Sequence, residues 1–484
     1  MPIIARRPDH AADQTYDLIV VGGGIYGVAL ALEATARGLR PLLLERDDFG
    51  GATSAVSLRV VHGGLRYLQT IDLPRFYESV GERRWWLTHF PDQVVPLTCL
   101  MPLYGRGLKR PSTFGAALVL NDLMSWRRNA GVEPDRRLSG GRLVGRKQVA
   151  RLFPDVDGRG LKGGGLWHDA VMLSSERLLI EMLRWASAAG AAALNYVEAV
   201  DLSMAGSIVD GVIARDRLSG ERLGFRAPCV INAAGPWCRA LAGGFDRRIA
   251  SGDRLFRPAL AFNLLFDRPP PAEVALAVEP DRPNAATYFL LPWKGRLMAG
   301  TFHAARPDGT TDARPAETEI AAMIDDLNAA VPGLDLGRDR VVRVLAGLQP
   351  AAAPGGAEPS NRPVMLDHGA DGGPRGLYSV SGVKYTTARL VAEKTIGAAF
   401  PGRARALPTR PAPGPAGEAG LFALPDDALA DRLKRIVREE SVVHLDDLLN
   451  RRIDPADWLD DGDAAVRRVR RLLEWDDGVG QPAA

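Results

Sequence analysis

An apolar run, Leu18–Val21, is followed at once by Gly22, Gly24 and Gly27, which together form the pattern G-x-G-x-x-G. The residues after it have helical character to about residue 37, so the segment predicts a strand, a tight turn and a helix. In such a unit the first glycine allows the turn, the second lets the backbone approach a pyrophosphate, and the third lets the helix pack closely on the strand. The pattern therefore predicts a βα unit that binds a dinucleotide.

A second predicted strand, Leu42–Leu44, ends at Glu45, about twenty residues after the glycines. An acidic side chain at this place accepts hydrogen bonds from the ribose of an adenosine. Strand, helix and Glu45 together favour a true dinucleotide site over a glycine-rich turn without a ligand. The motif itself does not separate NAD from FAD.

The length of the chain indicates more than one domain. At 484 residues it exceeds the roughly 250 to 300 residues at which a single hydrophobic core stops growing, so two or three domains are expected. The composition, 46% hydrophobic and 25% charged, is typical of a globular protein. The net charge is only +3 and the basic residues are scattered, which argues against nucleic acid as a partner.

The sequence also bears on the compartment. Three cysteines, without C-x-x-C or Cys/His metal spacing, predict buried thiols in a reducing compartment and no metal site. There is no run of about 18 apolar residues, and residues 1–14 lack the apolar segment of a signal peptide. We therefore expect a cytoplasmic protein, and a peripheral contact with the inner face of the membrane stays open.

One long segment carries a family resemblance. Phe49–Leu68, F-G-G-A-T-S-A-V-S-L-R-V-V-H-G-G-L-R-Y-L, resembles the segment after the second strand in FAD-dependent glycerol-3-phosphate dehydrogenases, a branch of the D-amino-acid-oxidase-like flavoproteins. Its most specific part is H-G-G-L-R-Y at residues 62–67. Further matches follow in the order of that family and span nearly the whole chain: Val230–Trp237, Leu291–Trp293 with Gly300-Thr301, Ser381–Thr387 and Glu439–Arg452.

The resemblance implies an α/β protein with a non-covalently bound FAD. Helical and strand-like patterns fit a Rossmann-type FAD-binding domain, an interleaved mixed-sheet substrate domain and, after a Pro- and Gly-rich linker at 401–420, a small helical C-terminal appendage. The predicted ranges are 14–78, 148–240 and 345–402 for the FAD-binding domain, 79–147 and 241–344 for the substrate domain, and 421–484 for the helical domain.

The resemblance also places the cofactor. It implies adenosine on Gly22, Gly24 and Glu45, with Gly27 supporting the turn, and pyrophosphate near Thr53 and Ser54. The implied neighbours of the isoalloxazine are Ser57, His62, Gly235, Gly382, Val383 and Lys384.

Oxidation of an alcohol by a flavin requires a base that takes the hydroxyl proton while hydride leaves carbon. His62 and Lys384 are the candidate bases, and the sequence does not choose between them. Arg66 and Tyr67 are expected at the substrate pocket, where they would hold an anionic or hydroxylated group by charge-assisted hydrogen bonds. Thr301 is a further candidate for substrate contact.

Two segments depart from the resembled family. In A-G-L-Q-P at residues 346–350, Gln349 replaces the arginine expected to clamp a substrate phosphate, and glutamine cannot form the guanidinium fork. Phe302-His303 replaces the Thr-Asp pair of the family. Arg362 is a candidate for a relocated cation, whereas Arg343, on the same predicted strand, is about 20 Å from Gln349 at 3.3 Å per residue.

We therefore predict an FAD-dependent dehydrogenase or oxidase of a secondary alcohol on a small, hydroxylated, anionic substrate like glycerol-3-phosphate. A quinone, another acceptor or oxygen could take the electrons, and the sequence does not distinguish them. Two alternatives stay open: a flavin amine or amino-acid oxidase, and a flavoprotein without catalysis that acts as an interaction subunit.

Overall fold

A computed structural model describes residues 3–105, 107–246, 255–280, 282, 285–416, 420–453 and 462–475. In chain order the strands are β1 (Leu18–Val21), β2 (Pro41–Leu44), β3 (Val60–Val61), β4 (Val94–Leu103), β5 (Arg142–Val144), β6 (Gly163–Met172), β7 (Ala192–Leu194), β8 (Val197–Ala205), β9 (Ile208–Asp216), β10 (Arg222–Arg226), β11 (Val230–Asn232), β12 (Pro258–Phe266), β13 (Ala275–Val278), β14 (Tyr288–Trp293), β15 (Arg296–Ala305), β16 (Val341–Pro350), β17 (Val364–Asp367) and β18 (Leu377–Ser381). The helices are α1 (Pro8–Ala12), α2 (Ile25–Ala36), α3 (Leu65–Leu68), α4 (Leu73–His89), α5 (Pro111–Met124), α6 (Arg146–Leu152), α7 (Ser175–Ala188), α8 (Cys238–Phe245), α9 (Glu317–Ala330), α10 (Ala388–Ala399), α11 (Asp426–Glu439), α12 (Leu445–Asp447) and α13 (Gly462–Leu473).

A six-stranded sheet forms the first layer, in the order β17-β18-β11-β1-β2-β7. All of its pairs are parallel except β17 with β18. Its inner strands are short apolar runs that are fully buried, as expected for a parallel sheet covered on both faces. Helix α2 follows β1 after Gly24 and ends before Gly38, whose positive φ of 71° closes the helix. The predicted Rossmann-type unit is therefore confirmed.

A large mixed sheet forms the second layer, in the order β16-β12-β15-β14-β13-β4-β6-β3, with β5 also paired to β6. Its pairs are antiparallel apart from β13 with β4. Strands β14 and β15 form an antiparallel pair joined by a turn at Lys294-Gly295. Helix α9 packs its apolar side, including Met323 and Leu327, into the core of this layer.

The strands divide between the two layers differently from the predicted ranges. Strand β6 lies within 148–240, which the sequence analysis gave to the FAD-binding domain, but its ten residues pair with β4 in the large sheet. Strands β3 and β16 also belong to the large sheet, although they lie in or extend into the ranges 14–78 and 345–402. The reason is that the residue pattern within one strand does not specify which distant strand it pairs with.

The C-terminal helices form a core of their own. Leu429, Leu433 and Ile436 of α11 are buried against α13, as their helical spacing predicts. Residues 454–461 and 476–484 of the predicted helical domain lie outside the described residues. Among the described residues no helix is long and apolar enough to cross a membrane.

Candidate active site

A cavity of about 640 Å³ lies where β1, β2, β11 and β18 end. The carboxyl ends of parallel strands meet at one edge of such a sheet, and ligands bind in the crevice outside that edge. Ten of the residues singled out from the sequence line this cavity. They are Gly22, Gly24, Glu45, Thr53, Ser54, Gly235, Gln349, Gly382, Val383 and Lys384.

The glycine turn brings backbone close to backbone. Gly22 has a φ of +109°, and a Cβ atom there would lie 2.7 Å from the carbonyl oxygen of Ala233. A Cβ on Gly27 would overlap the carbonyl oxygen of Gly22. Gly27 therefore supports the turn from behind and does not itself line the cavity, which agrees with its expected packing task.

Glu45 is held by backbone donors. Its Oε2 accepts a hydrogen bond from Gly23 N at 2.6 Å, and its Oε1 accepts one from Asp47 N at 2.9 Å. Burial raises the pKa of Glu45, and these hydrogen bonds act in the opposite direction. Each oxygen has a second lone pair, so the carboxylate can still accept bonds from a ribose in the cavity.

The segment around Thr53 and Ser54 is tied to both layers. Ser54 Oγ accepts a hydrogen bond from Ile25 N at 3.0 Å, at the start of α2, and Thr53 donates its hydroxyl to Leu348 O at 2.7 Å. The positive end of α2 and this hydroxyl-bearing segment thus lie together at the cavity. With the glycine turn and Glu45, they fit the adenosine and pyrophosphate of a dinucleotide.

Lys384 is positioned through its backbone by Tyr26. The Tyr26 hydroxyl donates to Lys384 O at 2.8 Å and accepts from Lys384 N at 3.1 Å. The ring of Tyr26 occupies the space that a Cβ on Gly382 would need, which explains the glycine at that position. Lys384 Nζ donates a hydrogen bond to the hydroxyl of Tyr67.

Lys384 is an exposed residue that lines the cavity. Desolvation by the surrounding protein, followed by the positive charge of Arg66, lowers the pKa of Lys384 to about 8. The same two causes lower the pKa of His303 to about 4, so its imidazole is neutral at pH 7. The positive charge of Arg66, on the short helix α3, therefore acts on both side chains.

His62 pairs with a residue that the sequence analysis missed. Strands β3 and β6 are antiparallel, with Val60 opposite Val171 and Val61 opposite Ala170, so His62 comes opposite Asp169. His62 Nδ1 lies 3.3 Å from Asp169 Oδ2. A charged residue inside an apolar strand, G-G-G-L-W-H-D-A-V-M, is the signal that could have identified Asp169.

Asp169 is buried and fully engaged. Its Oδ1 accepts from Gly63 N at 2.7 Å and from Arg83 Nη1 at 2.6 Å, and its Oδ2 also accepts from Trp167 Nε1 at 3.1 Å. Burial acts to raise the pKa of Asp169, but the bond from His62 and the charge of Arg83 hold that pKa well below its usual range. An ionised Asp169 holds the proton of His62 on Nδ1 and leaves Nε2 as the acceptor.

The two glycines of H-G-G-L-R-Y have structural reasons. The guanidinium of Arg83 occupies the space that a Cβ on Gly63 would need. Gly64 has a φ of +90° and precedes α3, the helix that carries Arg66 and Tyr67. The motif thus sets the positions of the histidine, the arginine and the tyrosine at once.

Of the expected substrate residues, Gln349 lines the cavity, whereas Thr301, His303 and Arg362 do not. Thr301 donates its hydroxyl to Asn263 Oδ1 at 2.8 Å, and Asn263 Nδ2 donates to Val56 O at 3.0 Å. Gln349 lines the cavity, and its buried Nε2 has no hydrogen-bond partner among the described residues. Arg362 is exposed on a loop and does not line the cavity.

Besides Gly27, two further residues expected near the cofactor, Ser57 and His62, lie off the cavity wall. Ser57 Oγ accepts a hydrogen bond from Arg59 N at 3.3 Å and supports the turn that leads into β3. His62 is not part of the wall either; its side chain is about half exposed, at 49%, and its ring packs on Phe289 with centroids 5.0 Å apart.

Comparison with known proteins agrees with this geometry. Residues 17–396 match the model of the FAD-dependent oxidoreductase family. The chain is 31% identical over 446 residues to glycerol-3-phosphate dehydrogenase from Synechocystis, covering 89% of this chain and 78% of that protein. The chain belongs to the FAD-dependent glycerol-3-phosphate dehydrogenase family. It is also 32% identical to glycerol-3-phosphate dehydrogenase 1 from Mycobacterium tuberculosis, over 84% of this chain and 79% of the relative.

Solved structures share the fold of this family member. The glycerol-3-phosphate dehydrogenase from Bacillus halodurans, solved in complex with FAD, superposes with a TM-score of 0.72 at 22% identity, covering 97% of this chain and 93% of the other. Glycine oxidase from Geobacillus kaustophilus has a TM-score of 0.52 at 18% identity and covers 80% of this chain. The fold therefore agrees with the family assignment, which makes the chain an FAD-dependent oxidoreductase.

Proposed function

We propose that this oxidoreductase removes hydride from a secondary alcohol on a small, hydroxylated, anionic substrate of the glycerol-3-phosphate kind. The observation that carries the proposal is the group of side chains beside the FAD cavity: Lys384 hydrogen-bonded to Tyr67, with Arg66 near both Lys384 and His303. These residues offer two cations and a hydroxyl, which suits an anionic alcohol. FAD, when bound, supplies the hydride acceptor.

His62 is the proposed base. Its Nδ1 is committed to Asp169, so Nε2 is the atom that takes the hydroxyl proton of the substrate. Lys384 in its charged form would then bind the substrate oxygen or an anionic group, together with Tyr67. Lys384 is the alternative base. Its pKa of about 8 is compatible with that role, because part of the amine is neutral near that pH.

Gln349 argues against tight binding of a phosphate. Its uncharged amide lies on the cavity wall, at the position where the family resemblance leads us to expect an arginine. His303 is neutral at pH 7 and adds no charge. We therefore propose that the substrate is related to glycerol-3-phosphate and that glycerol-3-phosphate itself is a poor substrate.

The test is anaerobic reduction of the bound flavin by a panel of substrates, followed at the flavin absorption band. Glycerol-3-phosphate, hydroxy acids and sugar alcohols form one group, and amino acids form the other. Bleaching by a hydroxylated compound supports the proposal, whereas bleaching by amino acids alone would favour an amino-acid oxidase. No reduction by any compound would favour a flavoprotein without catalysis.

For the electron acceptor we propose a quinone reached by peripheral contact with a membrane. On and just after α5, four large apolar side chains are exposed at helical spacing, namely Val119 at 60%, Leu120 at 47%, Leu123 at 67% and Trp126 at 76%. The exposed Arg110 and Arg127 flank this surface. An apolar face with basic neighbours is typical of helices that lie in the interface of a membrane.

Co-sedimentation with anionic vesicles tests the membrane contact. Leu123→Glu should reduce binding to the vesicles and the rate with a long-chain quinone, and it should leave flavin reduction by substrate unchanged. A protein that stays in the supernatant and reacts with oxygen as fast as with quinone would contradict the proposal.

A further inference from the structure

The C-terminal helices are held against the FAD-binding domain by buried charges. Arg452 donates to both oxygens of Asp48, at 2.7 and 2.8 Å, and Glu440 accepts from both Nη atoms of Arg177, at 2.7 and 2.9 Å. Asn195 donates to Ser441 O at 2.9 Å. All of these side chains are buried, so the end of the segment Leu448–Arg452 has a fixed position beside the loop that follows β2.

Arg451, the neighbour of Arg452, lines the FAD cavity. Its Nη2 lies 3.3 Å from the point that a Cβ on Gly51 would occupy, so the guanidinium lies over the stretch that leads to Thr53 and Ser54. Arg451 Nε is buried and makes no hydrogen bond to the described residues, since Asp48 Oδ2 is 3.7 Å away. The Nη atoms of Arg451 also make no hydrogen bond to the described residues, and they are the donors that can reach a ligand in the cavity.

The cavity wall carries more acidic than basic residues, so a cation that can bind an anionic ligand matters there. Four described acidic residues line the cavity, Glu45, Asp47, Asp48 and Glu198, and a diphosphate would add further negative charge. Three described basic residues line it, Arg46, Lys384 and Arg451.

Two of these cations are already engaged. Arg46 Nε lies 3.2 Å from Asp47 Oδ2, and its guanidinium lies 4.0 Å from the ring centre of Trp237. Lys384 is bound to Tyr67. Arg451 has a longer ion pair, 3.7 Å to Asp48, and it lies beside the expected pyrophosphate segment with Nη donors that no described residue uses.

We propose that Arg451 is a ligand of the anionic pyrophosphate of FAD, supplied to the FAD-binding domain by the C-terminal helical domain. Guanidinium groups bind phosphate oxygens by short charge-assisted hydrogen bonds. Docking of the C-terminal helices and retention of FAD are then coupled through adjacent residues, because Arg452 fixes the helices and Arg451 reaches the cofactor. This assignment does not depend on the substrate.

The test uses the full chain stripped of FAD, with FAD and ADP as probes. Arg451→Gln should weaken the binding of both probes by about tenfold or more, because it removes a charge-assisted hydrogen bond. The affinity for FAD is measured by quenching of flavin fluorescence, and that for ADP by calorimetry. Arg438→Gln is the matched control, because Arg438 is an exposed arginine of the same domain that does not line the cavity; it should leave both affinities unchanged.

A second readout separates a cofactor ligand from a merely structural residue. Urea unfolding of the FAD-free proteins should give Arg451→Gln a free energy of unfolding close to that of wild type. In the wild-type chain, FAD or ADP should protect Arg451, but not Arg438, from modification by phenylglyoxal, as mapped by mass spectrometry. Unchanged affinities in Arg451→Gln, or modification of Arg451 at the same rate with and without FAD, would overturn the proposal.

Discussion

Replacement of Asp169 by asparagine should nearly abolish flavin reduction without removing FAD. In the wild type, Asp169 Oδ1 accepts from Gly63 N and Arg83, and Oδ2 accepts from Trp167 Nε1 and contacts His62 Nδ1. If the asparagine oxygen takes the place of Oδ1, its NH₂ group takes the place of Oδ2. The NH₂ group then faces His62 Nδ1 as a donor. The imidazole can accept from that amide only if its proton moves to Nε2. His62 would then hold its proton on the atom that has to accept one.

The magnitude follows from these contacts. Loss of a general base lowers the rate by about 10²- to 10⁴-fold. A histidine in the wrong tautomer cannot act as the base, so we expect a decrease in rate of the same order. Arg83 is 3% exposed, and breaking a buried ion pair from one side costs about 3–5 kcal/mol, so the variant should also be less stable. Because the pKa of Asp169 is held below its usual range, the stability it confers is present above the pKa of an unfolded aspartate and is lost as the pH falls below it.

The assay is single-turnover reduction of the bound flavin under anaerobic conditions, with the FAD content and urea unfolding measured on the same preparations. Trp167→Phe is the matched control: it removes one hydrogen bond to Asp169 Oδ2 but keeps the carboxylate charge and the His62 contact. A folded, FAD-loaded Asp169→Asn protein that is reduced as fast as wild type would refute the role of Asp169 and, with it, of His62 as base.

Three further predictions address other parts of the molecule. Gln349→Arg should lower the half-saturating concentration of glycerol-3-phosphate in flavin reduction by about tenfold, because a charged hydrogen bond replaces a neutral one; no change would place the phosphate elsewhere. The pKa of Lys384 in the folded chain is about 8, below the usual value near 10.4, so the free energy of unfolding of the FAD-free protein should rise from about pH 8 to 10. Urea titrations should show no such rise in Lys384→Met. Glu440→Gln should cost about 3–5 kcal/mol in urea unfolding and expose the C-terminal helices to protease, because Arg177 loses a buried partner; equal protease resistance would contradict this.

The FAD half of the site could be predicted from sequence because its determinants are local. Gly22, Gly24 and Glu45 lie within one βαβ unit, and the geometry of that unit is set by neighbouring residues. The cavity walls contain all three. The parallel sheet was predictable for the same reason, since its strands are continuous apolar runs.

The pairings that complete the site could not be predicted in this way. Asp169 is 107 residues from His62, and Tyr26 is 358 residues from Lys384. Each pairing depends on strand register or on the meeting of loops from distant segments, which one sequence does not specify. The same reason explains why the sequence pattern did not predict the pairing of β6 with β4 in the large sheet.

Strand β16 separates the backbone that contacts the Thr53 segment from the side chain that faces a substrate. The backbone of β16 packs against the segment at Thr53. Leu348 O accepts a hydrogen bond from the Thr53 hydroxyl, and a Cβ on Gly347 would lie 3.2 Å from Thr53 Cα. The next side chain, Gln349, lies on the cavity wall and makes no hydrogen bond through its Nε2. A substitution at 349 therefore alters the chemistry offered to a substrate without breaking a bond that holds the strand or the FAD segment.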